Sequence, residues 1–208
     1  MDLSTFTGLK AAVEEYLVDD DISAPVETFI ALAEKRFLRD LRVRQLESKG
    51  SVTLIAGTEE VALPTGFLEA RAVVLQSSPV RVLPFKTPTQ FFEDHGSSSA
   101  GTPAAYTIIG SNFHFGPVPG SALTADVVFY AAPTALSATN ASNAILEDAP
   151  DIYLYGALLE AMPYLGDDDR ALVWVQLYDR AVDAMKKVDA RTAWSSGPLV
   201  MRVENYTP

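Results

Sequence analysis

The groupings in this 208-residue sequence with the chemistry to move a proton or hold a cation are few. They are the histidines His95 and His114, the aspartate triplets Asp19 to Asp21 and Asp167 to Asp169, and the adjacent Glu59 and Glu60. The histidines stand 19 residues apart, on an expected loop and an expected strand, without the helical i, i+4 spacing of a zinc site or a carboxylate to complete a ligand set. They read as structural. Neither triplet has the D-x-D-x-D-G pattern of a calcium loop, and each falls where a helix is expected to end or begin, so capping is the preferred reading. Neighbouring strand residues point to opposite faces, so Glu59 and Glu60 cannot flank one glycosidic bond. With no cysteine there is no disulfide, thiolate nucleophile or Cys-ligated metal. No G-x-S-x-G elbow, Walker A loop or G-x-G-x-x-G turn occurs; Gly110, Gly116 and Gly120 read as strand-turn glycines. The sequons at Asn140 and Asn205 carry no weight without a secretory signal. Catalytic residues, metal ligands and a cofactor site are therefore not expected.

One basic grouping stands against the acidic total. Lys35, Arg36, Arg39, Arg42, Arg44 and Lys49 supply six of the sixteen Lys and Arg within fifteen residues. Lys35, Arg39 and Arg42 fall on one helical face at i, i+4, i+7. Either this is a solvated face partly paired with Glu34 and Asp40, or it makes an electrostatic contact with an acidic neighbouring subunit or DNA phosphates.

The elements that must position these residues run helices, strands, helices, which is α+β rather than alternating βαβ. Phe6, Leu9, Val13, Tyr16 and Leu17 recur at helical spacing after Ser4 or Thr5 as cap, up to the first aspartate triplet. A second helix carries Val26, Phe29, Ile30, Ala33, Phe37 and Leu41 to about Leu46, with Gly50 closing it. Then the period changes. Val52 to Leu54 and Val61 to Leu63 are expected as a hairpin around Gly57; Ala70 to Gln76 and Val80 to Leu83 flank the turn at Pro79. Thr87, Pro88 and Gln90 suit the start of a short helix to about Asp94. Ala105 to Ile109, Phe113 to Phe115 and Leu123 to Tyr130 complete six or seven short strands. Pro150 opens a helix bearing Tyr153, Leu158 and Met162, and a last helix runs from Leu172 to about Lys187. The expected organisation is a bundle built from the N- and C-terminal helical pairs, 1–49 and 147–189, around an antiparallel β-rich insertion, 50–146. An extended tail follows at 190–208; its apolar content predicts docking on a neighbour.

Composition narrows the partners. The 27 acidic residues against 16 basic ones give a net charge of −11, which argues against broad contact with nucleic-acid phosphates or an anionic membrane. No run approaches the ~20 apolar residues of a membrane span, and the first residues lack a secretory signal, so synthesis in a cytoplasm is expected. Between His95 and Leu146, 52 residues, Asp126 is the only charged side chain. Such depletion suggests either surface covered by a partner or a solvated Ser/Thr/Gly-rich β surface.

The order of motifs is similar to that of the head-to-tail adaptor (connector) proteins of short-tailed bacteriophages. The run Ala149 to Ala161 (APDIYLYGALLEA), with Tyr164 to Asp168, Trp174 and Tyr178, resembles the family's helical signature. Ile30 to Phe37 with Leu41-Arg42 resembles its second helix, Leu63 to Glu69 (LPTGFLE) its "LPxDFLE" turn, and Thr87 to Gln90 its "TPxQ" cap. Gly101 to Pro103, Tyr106 to Ile108, Phe113 to Pro117 and Tyr130 to Ser137 complete the pattern, which covers about Ser4 to Lys187. One departure is Thr65-Gly66, where the familiar form has an acidic residue before the Phe. The resemblance implies a non-enzymatic virion protein at the head-tail interface, made in the bacterial host cytoplasm. Members form a dodecameric ring that joins the portal to the tail nozzle or fibres and lets double-stranded DNA pass without specific contact or any membrane. It implies portal binding by the tail residues Arg191, Trp194, Leu199, Val200, Met201 and Tyr206, and a ring-, portal- or DNA-facing role for Lys35, Arg39 and Arg42. The competing reading is a monomeric cellular protein-binding module that uses the charge-poor β region.

Overall fold

The computed structural model describes residues 2–17, 25–96, 99–165 and 170–194. Both aspartate triplets and the tail residues Leu199, Val200, Met201 and Tyr206 lie outside them. The chain forms two compact units, a helical one from Met1–Val43 with Ala135–Pro208 and a β-rich one from Arg44–Thr134. Together they make the expected α+β fold.

In the helical unit, α1 (Phe6–Leu17) starts where the Thr5 hydroxyl accepts the Gly8 N–H at 3.2 Å. Phe6, Leu9, Val13 and Leu17 are buried along one stripe, as helical periodicity requires. Helix α2 (Val26–Asp40) ends sooner than its apolar stripe suggests. Leu41 is extended (φ −93°, ψ 126°), and Leu41 and Val43 are buried on either side of half-buried Arg42, a strand-like alternation. Arg42 turns back so that Nη1 donates to the Leu38 and Leu41 carbonyls, both at 2.7 Å, satisfying groups that the helix end leaves open.

The return to this unit begins with α4 (Ala144–Asp148), capped by Asn143, whose side chain accepts the Leu146 N–H at 3.0 Å. Five residues are too few for periodicity to reveal, and no helix is expected there. Helix α5 (Pro150–Leu165) then packs closely on α2. A Cβ added at Gly156 would lie 3.1 Å from Ala33 Cβ and 3.4 Å from Tyr178 Cε2, so this glycine sets the approach of the helices. Helix α6 (Ala171–Trp194) runs beyond Lys187 and over the first residues of the expected tail. Nothing in Ala190 to Trp194 breaks a helix, and the Thr192 hydroxyl bonds the Val188 carbonyl at 2.9 Å.

A carboxylate lies inside this unit. Glu34, expected on the solvated face of α2, is only 5% exposed. Its Oε1 accepts the Leu136 N–H at 2.9 Å and the Tyr153 hydroxyl at 3.1 Å. The Asn143 amide in turn donates to that hydroxyl at 2.7 Å. Burial pushes the Glu34 carboxyl above its ordinary 4.5, and the bonds from Leu136 and Tyr153 oppose the rise.

The β unit is two packed antiparallel sheets. One is ordered β1 (Glu47–Leu54), β7 (Leu123–Ala131), β3 (Phe67–Leu75), β4 (Arg81–Leu83); the other β2 (Glu60–Ala62), β6 (Asn112–Gly116), β5 (Ala105–Ile109). Val52, Leu54, Val73, Leu75, Val127 and Phe129 from the first sheet meet Tyr106, Phe113 and Phe115 from the second in one core. The expected hairpin around Gly57 does not form. β1 pairs along its whole length with β7, β2 pairs with β6, and Gly57, at φ +78°, donates its N–H to the Pro119 carbonyl. Gly50 does not close a helix either: it lies within β1, opposite Val127, with the Phe129 ring where a side chain would go. Helix α3 (Pro88–His95) follows Thr87, whose side chain makes no cap bond. Its last residue is His95, placed by the sequence reading in a loop. A Cβ on Gly116 would come within 2.8 Å of His95 and Phe91, so only glycine lets α3 pack against β6 there.

Two outcomes follow. Gly156→Leu is expected to lower the unfolding free energy by about 1–3 kcal/mol, seen as a lower urea midpoint at unchanged slope. Glu34→Ala leaves the Leu136 N–H and Tyr153 hydroxyl without their acceptor and is expected to cost about 1–3 kcal/mol in the same assay. Because burial raises the folded-state value of Glu34, its contribution to stability is fullest below 4.5 and is lost as pH rises through that raised value. Urea unfolding of wild type and Glu34→Gln from about pH 4 to about pH 8 will show the difference moving against wild type with rising pH.

Candidate functional site

The six clustered cations divide between the units. On α2, Lys35 and Arg39 are exposed one turn apart, while Arg42 has left their face to cap the helix. Arg36 pairs with Glu160 of α5 at 2.6 Å. The solvated face thus holds Lys35 and Arg39, while Glu34 turns its hydrogen bonds inward to Leu136 and Tyr153. Beneath it, the Tyr178 hydroxyl is buried without a hydrogen-bond partner among the described residues. Burial, reinforced by the Asp40 charge, pushes Tyr178 up to about 12. In the β unit Lys49 pairs with Asp126 at 2.8 Å, and the Gln76 amide donates to the same carboxylate at 3.1 Å. The single charge of the 52-residue stretch is therefore balanced locally.

Much of that stretch faces this chain's own core. Ala105, Tyr106, Thr107, Phe113, His114, Phe115, Ala125, Val127 and Phe129 are all buried. Among the described residues its exposed positions are small, Ser99, Thr102, Gly110, Ser111, Gly120, Ser121 and Thr124 among them. The large apolar side chains that reach solvent in this unit belong to other segments, namely Ile55, Val80, Val82, Phe85 and Phe92, with Val82 at 70%. Strand register orders them. The chain enters at Arg44 and leaves at Thr134, beside the paired Glu47 and Tyr130, whereas Ile55 and the Ser77 to Val80 turn lie at the opposite end of the same sheet.

The helical unit carries a second apolar patch. Leu172 (74% exposed), Val173 and Val175 surround the buried Trp174 on α6, and Tyr164 is exposed near the end of α5. Arg170 stacks over the Trp174 ring at 5.0 Å and donates to the Tyr16 carbonyl at 3.0 Å. Spacing marks Leu172 only as the start of this helix and does not single out the patch. Its signal was there: four apolar residues in succession, Leu172 to Val175, cannot all face one side of a helix. Arg191 is exposed on the last turn of α6, so the residues nominated as a tail begin inside a helix.

The proton-transfer candidates do not converge. Glu59 Oε1 lies 3.3 Å from His114 Nδ1, while Glu60 accepts from the Asn112 amide at 3.0 Å. His114 and Thr107 face each other in register, both buried, and the Thr107 hydroxyl and His95 Nε2 have no partner among the described residues. Lys86 and Asp94 form an exposed pair whose hydrogen bond holds the Asp94 carboxyl below the usual carboxylate range. Among the described residues no group of three His, Asp or Glu side chains could hold a metal ion, and no helix is long and apolar enough to cross a membrane. What this geometry offers is contact surface: two exposed cations on α2, an apolar patch on α6, and apolar residues on and around β4.

The sequence model of one family, described as SU10 adaptor protein, matches residues 4–202, which takes in both units. No curated protein matches the sequence.

Proposed function

This chain belongs to the SU10 adaptor protein family, and from that premise we propose that it is a structural protein of a phage particle, working as the adaptor between head and tail. The observation that carries the reading is the family match over residues 4–202, which spans helical and β units alike. The surfaces support it. Exposed apolar side chains lie on each unit, on α6 and around β4, and a protein that joins two partners needs separate faces for them. In the finer reading, identical copies close into a dodecameric ring through a heterologous contact, in which each copy presents two different patches. The helical unit then serves the ring and portal, with Lys35 and Arg39 on an exposed face, and the β unit serves the tail nozzle or fibres. Residues beyond α6, including Leu199, Val200, Met201 and Tyr206, bind the portal. A net charge of −11 suits a channel past which DNA slides without sticking. The role needs no catalytic group.

Because α6 continues through Trp194, the test of the portal contact is a chain that ends there rather than at Arg191. Light scattering of the full chain mixed with portal rings is expected to show a complex of about twelve copies per ring. The truncated chain should keep its helical circular dichroism and lose the complex. A full-length monomer indifferent to portal rings would overturn the adaptor reading in favour of a monomeric binding module.

A further inference from the structure

The four-stranded sheet of the β unit has an uncovered edge. β1 is an outermost strand, paired without a register shift from Glu47 opposite Tyr130 to Leu54 opposite Leu123. Which of its backbone groups are free follows from one bond. The Gln76 N–H donates to the Thr124 carbonyl at 2.8 Å, so the even-numbered residues of β7 face β3 and the odd-numbered ones face β1. Ser48, Gly50 and Val52 therefore bond to β7, and Glu47, Lys49, Ser51 and Thr53 turn their N–H and C=O groups outward, where no backbone group meets them among the described residues. The side chains of these four lie on the outer face of the sheet, where Lys49 pairs with Asp126 and Glu47 with Arg71. On the other face β1 carries Val52 and Leu54 into the core and brings Gly50 against the Phe129 ring.

A regular open edge of this kind is a template for an added strand. The chain itself contains a segment that matches it. The described residues end at Trp194, and beyond it the run Leu199 to Thr207 holds no Pro or Gly, is long enough to span β1, and interleaves apolar Leu199, Met201 and Val203 with Val200, Arg202 and Glu204. Laid antiparallel on β1 with Glu204 opposite Lys49, it brings Arg202 opposite Ser51 and Val200 opposite Thr53, while Val203, Met201 and Leu199 fall beside Gly50, Val52 and Leu54 on the core side. The register is selective. A slip of one residue turns Arg202 and Glu204 to the core side; a slip of two sets either Arg202 opposite Lys49 or Pro208, which has no N–H, opposite Glu47. A parallel strand with the same Lys49 to Glu204 match leaves Asn205 and Thr207 against Gly50 and Val52.

We propose that residues 199–207 of one copy add to β1 of a neighbouring copy as an antiparallel fifth strand of its sheet. The inference rests on the adaptor reading for its choice of a neighbouring copy: a closed ring needs two different, complementary patches on every chain, and tail and edge are such a pair. Portal binding by the tail then falls to the side chains that the added strand keeps on the outer face, Val200 and Tyr206 among them.

Because the chain has no cysteine, a disulfide can report this contact. Two full-length single-cysteine variants, Ser51→Cys and a size-tagged Arg202→Cys, are mixed in equal amounts, oxidised with a glutathione buffer, and resolved on a non-reducing gel, both free and on portal rings. Facing residues of an antiparallel pair stand ~5.5 Å apart between Cα atoms, within the range a disulfide spans. The mixed dimer is expected to form about tenfold faster or more than when Ser111→Cys, at an exposed turn of the other sheet, replaces Ser51→Cys. Adding Val203→Glu to the tail-bearing chain should remove the excess, since it puts a charge on the core side. A rate no greater than that of the Ser111→Cys mixture, free and on rings alike, would overturn the proposal. So would a double variant, Ser51→Cys with Arg202→Cys, that closes only within itself, which would identify the occupant as the chain's own tail. An excess of Ser51→Cys homodimer would overturn it in favour of a second β1. Assembly on portal rings without the mixed disulfide would sink the added strand and leave the adaptor reading standing; the mixed disulfide in a chain indifferent to the rings would sink the adaptor reading and leave the strand.

Discussion

A carboxylate taken out of water has to be met by donors, and in the helical unit that requirement falls on Glu34. Its partners come from far along the chain: the Leu136 N–H is 102 residues away and the Tyr153 hydroxyl 119. Through them α2 is tied to the chain as it returns from the β unit and to α5, and through Asn143 to the cap of α4. Phe6 adds α1 by donating to the Ala141 carbonyl at 2.7 Å. An apolar residue at position 34 could join the same core but would accept neither bond. The buried charge costs stability and in exchange specifies which parts of the chain meet, the use for which buried polar groups are best attested.

That arrangement also bears on how the unit forms. Its core joins the two ends of the chain, so it is complete only when residues on both sides of the Arg44–Thr134 unit are present. The loop-closure entropy of such distant contacts must be met before the contacts stabilise anything, which slows folding relative to a bundle of sequential helices. The β unit is nested in a similar way, since its longest pairing joins its first strand, β1, to its last, β7.

Much of the fold was legible because it is local. The stripe of α1, the Pro150 start of α5, the β3–β4 hairpin and the β5 and β6 segments all follow from spacing over a few residues. What was not legible depends on residues far away. Val52 to Leu54 and Val61 to Leu63 look like the arms of a hairpin around Gly57, and nothing within those twelve residues shows that one arm belongs to β7 and the other to β6. Helical periodicity put Glu34 near the solvated face, and only the approach of Leu136 and Tyr153 turns it into a core residue. Arg42 kept helical spacing with Lys35 and Arg39, but burial of Leu41 and Val43 draws the chain out of the helix. The surfaces were the least legible part. Depletion of charge pointed to the stretch after His95, whereas exposed large apolar residues gather on α6 and around β4. Over β5, β6 and β7 the scarcity of charge goes with the many positions that face the unit's own core.

The pairing of β1 with β7 has an architectural consequence. Because the first and last strands of the β unit are neighbours, and Glu47 lies opposite Tyr130, the unit's own two ends begin about one inter-strand spacing, ~4.8 Å, apart. The whole of Arg44–Thr134 is an insertion in sequence, with Met1–Val43 before it and Ala135–Pro208 after it. Paired ends of this kind are what an inserted module needs, because its own sheet, rather than the host, brings its two termini together. Duplication, loss or exchange of such an insert is a far smaller step than remodelling a fold whose ends emerge on opposite sides, so the helical host and its insert are free to diverge at different rates.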